Sequence, residues 1–153
     1  MPKDDKEVAM KRSEDDVWGR ELDWLAIDSE GHVAFFSTAG GGYPPEAFLE
    51  DTESHDAAID VLLVMPPCTG VRFAPEMGPE DENTWRLAAE RGLFAFDSDP
   101  NGGPYVLRAA PIEPATSASL PGSVASVANR IYFPHLRFAE LLTIGEDLLK
   151  PQP

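Results

Sequence analysis

Four side chains stand out as able to ligate a transition metal or to serve as base and nucleophile. They are His32, His55, His135 and Cys68. No two of them fall at i,i+4 and no Cys-x-x-Cys occurs, so zinc has no signature here. His32 reads as a turn residue, His55 as a first-turn helix residue and His135 as a loop residue. Cys68 follows Pro66-Pro67 and Ser37 ends a strand pattern, with nothing to activate either. No Gly-x-Ser-x-Gly elbow is present. Gly40-Gly41-Gly42 lacks the Lys-Ser/Thr ending of a phosphate loop, and no helix follows it at once. Asp97-Ser-Asp-Pro-Asn-Gly102 matches the first half of a calcium loop. Position twelve, however, is Arg108 rather than Glu, prolines at 100 and 104 interrupt it, and its flanks read as strands. A hairpin turn is expected there. The expectation is no metal, no cofactor and no enzyme.

Carboxylates are the abundant chemistry. The chain carries 27 acidic and 12 basic side chains, a net charge of −15 over 153 residues. Residues 24–103 hold fifteen acids against three bases, whereas residues 104–153 hold four of each. The excess therefore sits on the centre of the chain. Abundance makes any single carboxylate pair uninformative for catalysis, which needs two opposed environments. A one-signed surface either keeps a protein soluble or steers a partner of opposite charge. The same field disfavours nucleic acid and anionic lipid as direct partners.

The elements that must carry these acids follow from spacing. Residues 1–16 are polar and of mixed charge and read as a mobile arm, with one domain over 17–150. Trp24–Asp28 and Val33–Thr38 are β-rich runs around a turn at Gly31, a hairpin. A Gly/Pro loop leads to a short helix at 46–50. A second helix covers 53–64, with Thr52 or Ser54 as N-cap. It has Glu53, Asp56 and Asp60 on one face and Ile59, Leu62 and Leu63 on the other. A helix over 80–91 begins with Glu80-Asp81-Glu82 and ends at Gly92. Leu93–Phe96 and Pro104–Ala109 form a second hairpin. A short helix over 122–129, apolar returns at 131–133 and 136–138, and a weakly helical tail at 141–149 complete the chain. Trp24 and Trp85 are core residues; Trp18 fits either core or surface. The fold expected is α+β, an antiparallel sheet of hairpins with two or three helices on one face.

The stretch Trp24-Leu-Ala-Ile-Asp-Ser-Glu-Gly-His-Val-Ala-Phe-Phe-Ser-Thr-Ala-Gly40 resembles the opening of small bacterial immunity-type proteins of polymorphic toxin systems. There a tryptophan strand, an Asp-x-x-Gly turn and a second strand lead into a Gly/Pro loop. Ala89-Glu-Arg-Gly-Leu-Phe-Ala-Phe-Asp97 with Pro104-Tyr-Val-Leu-Arg108 is similar to the middle of that group, and Phe138-Ala-Glu140 to its close. The resemblance spans residues 24–140 and rests on turns and core positions. It implies a protein that binds and neutralises a cognate toxin. It carries over no binding residue, because toxin-facing positions vary in such families.

From the residues themselves, the partner-binding candidates are Tyr43, as an aromatic anchor, with Glu46, Glu50, Asp51, Glu53, Asp56, Asp60, Glu80, Asp81, Glu82, Asp97 and Asp99. The leading expectation is an immunity protein whose acidic surface holds a basic toxin effector such as a nuclease. A DNA-mimic inhibitor of a cellular DNA-binding protein shares the charge. A small enzyme with a site at the Gly40–Tyr43 loop is the third class. A single cysteine, a charged opening segment with no secretory signal and no apolar run of about 20 residues lead to a cytoplasmic expectation. Oligomeric state is open.

Overall fold

A computed structural model describes residues 21–74 and 84–151. The arm at 1–16, Trp18 and the helix start with Glu80, Asp81 and Glu82 lie outside the described residues.

The first hairpin forms as its alternation requires. Strands β1 (Asp23–Asp28) and β2 (Val33–Ser37) pair antiparallel, with Asp23 opposite Ser37 and Ile27 opposite Val33. Gly31 takes φ +78° in the turn. Asp28 closes that turn: one carboxylate oxygen accepts from the Glu30 and His32 amides, both at 2.9 Å. The other accepts from the Phe138 amide at 2.8 Å and ties the hairpin to the C-terminal part of the chain.

Helix α1 (Glu46–Leu49) follows Pro45. Helix α2 (Thr52–Leu63) is capped by Asp51 rather than by Thr52 or Ser54. The Asp51 side chain accepts from the Ser54 amide at 3.2 Å and from the Ser54 hydroxyl at 2.5 Å. Ser54 thus donates to the cap, one turn inside the helix. Then come β3 (Val71–Phe73), α3 (Thr84–Glu90), β4 (Phe94–Asp97) and β5 (Tyr105–Pro111). Gly92, at φ +94°, ends α3; a Cβ there would lie 2.6 Å from that of Ala115. Helix α4 (Gly122–Ala128), β6 (Tyr132–Phe133), a 3-10 turn at Phe138–Glu140, β7 (Thr143–Ile144) and α5 (Glu146–Leu149) follow.

The fold is α+β, and its sheet is mixed. Strand order is β3-β5-β4-β2-β1-β6, with β7 pairing the first half of β5. The hairpins β1–β2 and β4–β5 are antiparallel, as expected. Two pairings are parallel: β2 with β4, and β1 with β6. The chain between β2 and β4 crosses through α1, α2 and α3, and such a long crossover permits parallel pairing.

Both faces of the sheet are buried. One carries Leu25, Val33 and Phe35 against Ala58, Ile59 and Leu62 of α2, Ala88 of α3 and Val124 and Val127 of α4. These three helices share one face, as the sequence suggests. The other face carries Trp24, Phe36, Phe94 and Phe96 under α1, α5 and the C-terminal turns. Trp24 stacks on Phe36 at 4.0 Å. Its indole N–H donates to the Tyr105 hydroxyl (3.1 Å), which donates to the Tyr43 carbonyl (2.8 Å). The Gly/Pro loop is thereby fastened to the core. Trp85 is partly buried against Ala89, Ala95 and Ala109.

Candidate functional site

The acids of α1 and α2 sit where helical spacing puts them. Ala58, Ile59 and Leu62 turn to the sheet, so Glu53, Asp56 and Asp60 turn to solvent. Glu46 opens α1 and Glu50 caps its end, and both are exposed. No lysine or arginine occurs from 46 to 63. Nearby cations are paired, most of them outside this segment. Arg86 and Arg91 pair with Glu90, Arg108 with Asp97, Arg130 with Asp51, Arg137 with Glu140 and Lys150 with Glu146. Among the described residues, Glu46, Glu50, Glu53 and Asp60 have no cation within 4.0 Å. Asp51 is half-buried: its bonds from Ser54, and then Arg130 at 3.2 Å, hold its carboxyl below the usual range.

Tyr43 is half-buried beside this face. The Lys150 ammonium lies 5.8 Å from its ring centre, and the Lys150–Glu146 pair measures 2.8 Å. An open cleft of about 390 Å³ runs from Tyr43, Pro45 and Glu46 to Tyr132, Pro134 and Leu149. The Gly40–Tyr43 loop turns its own amides inward. Gly41 and Gly42 donate to the Thr38 carbonyl at 3.0 and 2.8 Å, and Gly40 donates to the Thr38 hydroxyl at 3.3 Å. Gly41 has backbone on all sides: a Cβ would lie 2.5 Å from the Pro100 carbonyl oxygen.

Asp97 and Asp99 part company. Asp99 is exposed and caps its own turn, accepting from the Asn101 amide at 2.9 Å. Asp97 is only 8% exposed. It shares a row with Ser37 and Asp23 on three adjacent strands. Burial pushes both carboxyls up to about 6, against the opposing pull of Arg108 on Asp97 and of the Ser37 hydroxyl on both. Glu21 and Asp56 add further negative charge around Asp23. Arg108 lies 3.7 Å from Asp97 and stacks over Trp85. A cavity of about 350 Å³ lined by Glu21, Asp23, Ser37, Thr84 and Trp85 opens beside the row. Asp23 was not among the sequence candidates. Its signal was period two: it shares the core-facing parity of Leu25, where a carboxylate is out of place.

The histidines are dispersed. His55 stands in the first turn of α2, as expected, and is buried. Its Nδ1 accepts from the Leu25 amide at 3.1 Å, where β1 has no strand partner on that side. Burial, then Arg130, lowers it to about 4. His135 Nε2 donates to the Leu148 carbonyl at 2.8 Å. Cys68 is exposed. Among the described residues no group of three or more His, Cys, Asp or Glu side chains is placed to hold a metal, and no helix is long and apolar enough to cross a membrane.

No protein-family model, curated protein or solved structure matches this chain.

Proposed function

We propose that this chain is a non-enzymatic, cytoplasmic immunity protein that binds and neutralises a basic toxin effector. The carrying observation is the outward row of carboxylates on α1 and α2, with no lysine or arginine between residues 46 and 63. Like charges crowded on one face cost stability through self-repulsion, and a basic partner relieves that cost on binding. Such a face suits a nuclease, because its substrate groove is built to hold a row of phosphates. The small-enzyme reading places its site at the Gly40–Tyr43 loop, where His135 and Glu46 line the neighbouring cleft but the His135 ring is engaged with the Leu148 carbonyl.

Co-expression with the product of the adjacent upstream gene tests this reading. Rescue of growth together with a co-purifying complex supports it. A toxic neighbour that is not rescued, or a harmless one, overturns it. Capture of a housekeeping DNA-binding protein from a lysate in its place favours the DNA-mimic reading. The complex should form at a rate that falls steeply as salt rises; a salt-independent rate removes the electrostatic basis.

A further inference from the structure

We propose that the cleft between Tyr43 and Tyr132 receives an aromatic side chain from a basic segment of the partner, whose lysines or arginines meet Glu46 and Glu50. The basic character of the partner rests on the function proposed above; the seat for an aromatic anchor is a separate inference from the cleft.

Three observations carry it. Tyr132 is 53% exposed, the one aromatic among the described residues whose side chain stands so far into solvent. It sits on β6, the last strand on that side of the sheet, and its neighbour Phe133 is buried in the core. An aromatic held on a rigid edge is the residue type that anchors interfaces.

The cleft is also held open by stiff parts. Pro45 begins α1, Pro134 follows β6, Leu149 is buried, and the Tyr43 carbonyl is bonded to Tyr105. Proline fixes φ, so these walls lose little freedom when a ligand enters. About 390 Å³ is within the range, roughly 300–1,000 Å³, of pockets that bury a small ligand or a large side chain with its flanks.

Charge selects the occupant. The cations at the rim are already matched, Arg130 by Asp51 and Lys150 by Glu146. Glu46 lines the cleft without a cation among the described residues, and Glu50 caps the far end of α1. The uncompensated charge is therefore negative. An acidic segment is repelled, and a second copy of this chain brings another net −15. A segment that flanks an aromatic with cations satisfies both the apolar walls and the acids.

The test uses the full chain, isotopically labelled, with the blocked tripeptide Lys-Trp-Lys as probe and Glu-Trp-Glu and Lys-Ala-Lys as controls. Saturable shifts of amides around Ala47, Tyr132 and Lys150 are expected with Lys-Trp-Lys, and about tenfold weaker binding of either control. Tyr132→Ala is an exposed change that leaves the fold intact and should weaken Lys-Trp-Lys about fivefold. Glu46→Lys should weaken it and strengthen Glu-Trp-Glu. Equal binding of Lys-Ala-Lys, shifts confined to the Glu53–Asp60 face, or no effect of Tyr132→Ala would overturn the proposal. Peptide binding without growth rescue retains the cleft and removes the toxin reading; rescue without peptide binding does the reverse.

Discussion

Asp23 and Asp97 flank Ser37 on one face of three neighbouring strands, β1, β2 and β4, at the same level of the sheet. Both carboxyls engage the Ser37 hydroxyl. That hydroxyl has one proton and can donate to only one carboxylate at a time. The carboxyl left without that donor gains by keeping its own proton. Burial and the negative charges of Glu21 and Asp56 favour such retention, while Arg108 draws the ionised form to Asp97. The row as a unit holds on to a proton at pH values where exposed carboxyls have lost theirs.

The consequence is a stability that falls as pH rises. A folded-state value near 6 against the ordinary 3.8 of an aspartate means that the folded chain binds the proton more tightly. The contribution is complete below about pH 3.8 and is lost as pH rises through about 6. Asp23→Asn removes the ionisation and keeps an acceptor for Ser37. Denaturant unfolding should show the variant more stable than the parent by about 1–2 kcal/mol at pH 8, with the difference vanishing near pH 4. A loss of stability at pH 8 would refute this account.

His55 acts with the opposite sign. Its folded value of about 4, below the ordinary 6.5 of a histidine, gives stability that is complete above pH 6.5 and is lost as pH falls through about 4. His55→Phe keeps a ring against Phe48, 5.0 Å away, but orphans the Leu25 amide. The variant should lose about 1–3 kcal/mol at pH 7 and show a weaker acid-side decline. An unchanged decline between pH 6.5 and 4 would assign that limb to other groups.

Asp28 is 1% exposed and accepts three backbone N–H bonds with two oxygens. Asp28→Ala strands all three donors and should cost more than about 3 kcal/mol. Asp28→Asn retains one acceptor oxygen, enough for either the hairpin turn or Phe138 and not for both, and should fall between. Thermal melts of the three proteins order them; an alanine variant as stable as the asparagine variant would contradict the two-sided role.

Reversal of the exposed acids separates binding from folding. Replacing Glu53, Asp56 and Asp60 by lysine should change the melting temperature little, since the three lysines repel one another as the acids did and the lysine at 53 opposes the helix dipole, while the net negative charge around them falls. Association with the partner found by co-expression should slow by at least about tenfold at low salt and lose its salt dependence. An unaltered rate would move the contact surface off α2.

The local order of this protein was legible in its sequence. Alternation around Gly31 specified the β1–β2 hairpin, because strand facing follows from neighbours two apart. Turn residues at 97–103 specified the β4–β5 hairpin in the same way. Spacing of three and four placed Ile59 and Leu62 inward and Glu53, Asp56 and Asp60 outward on α2. Charge counting located the acidic face. The N-cap was misplaced by a residue or more, since Asp51, Thr52 and Ser54 are all capping types and only the approach of the chain chooses among them.

Contacts between distant segments were decided by the tertiary structure alone. The parallel pairings of β2 with β4 and β1 with β6 join strands that no turn connects. They depend on how α1, α2 and α3 fit over the sheet. Register then brought Asp97 beside Ser37 and Asp23, turned a carboxylate expected at the surface into a buried one, and set Tyr132 at the rim of a cleft. Side-chain facing is a property of a residue and its near neighbours, whereas pairing and burial are properties of the whole packed chain. The acidic helix face could therefore be read from the sequence, and the proton-holding row and the aromatic cleft could not.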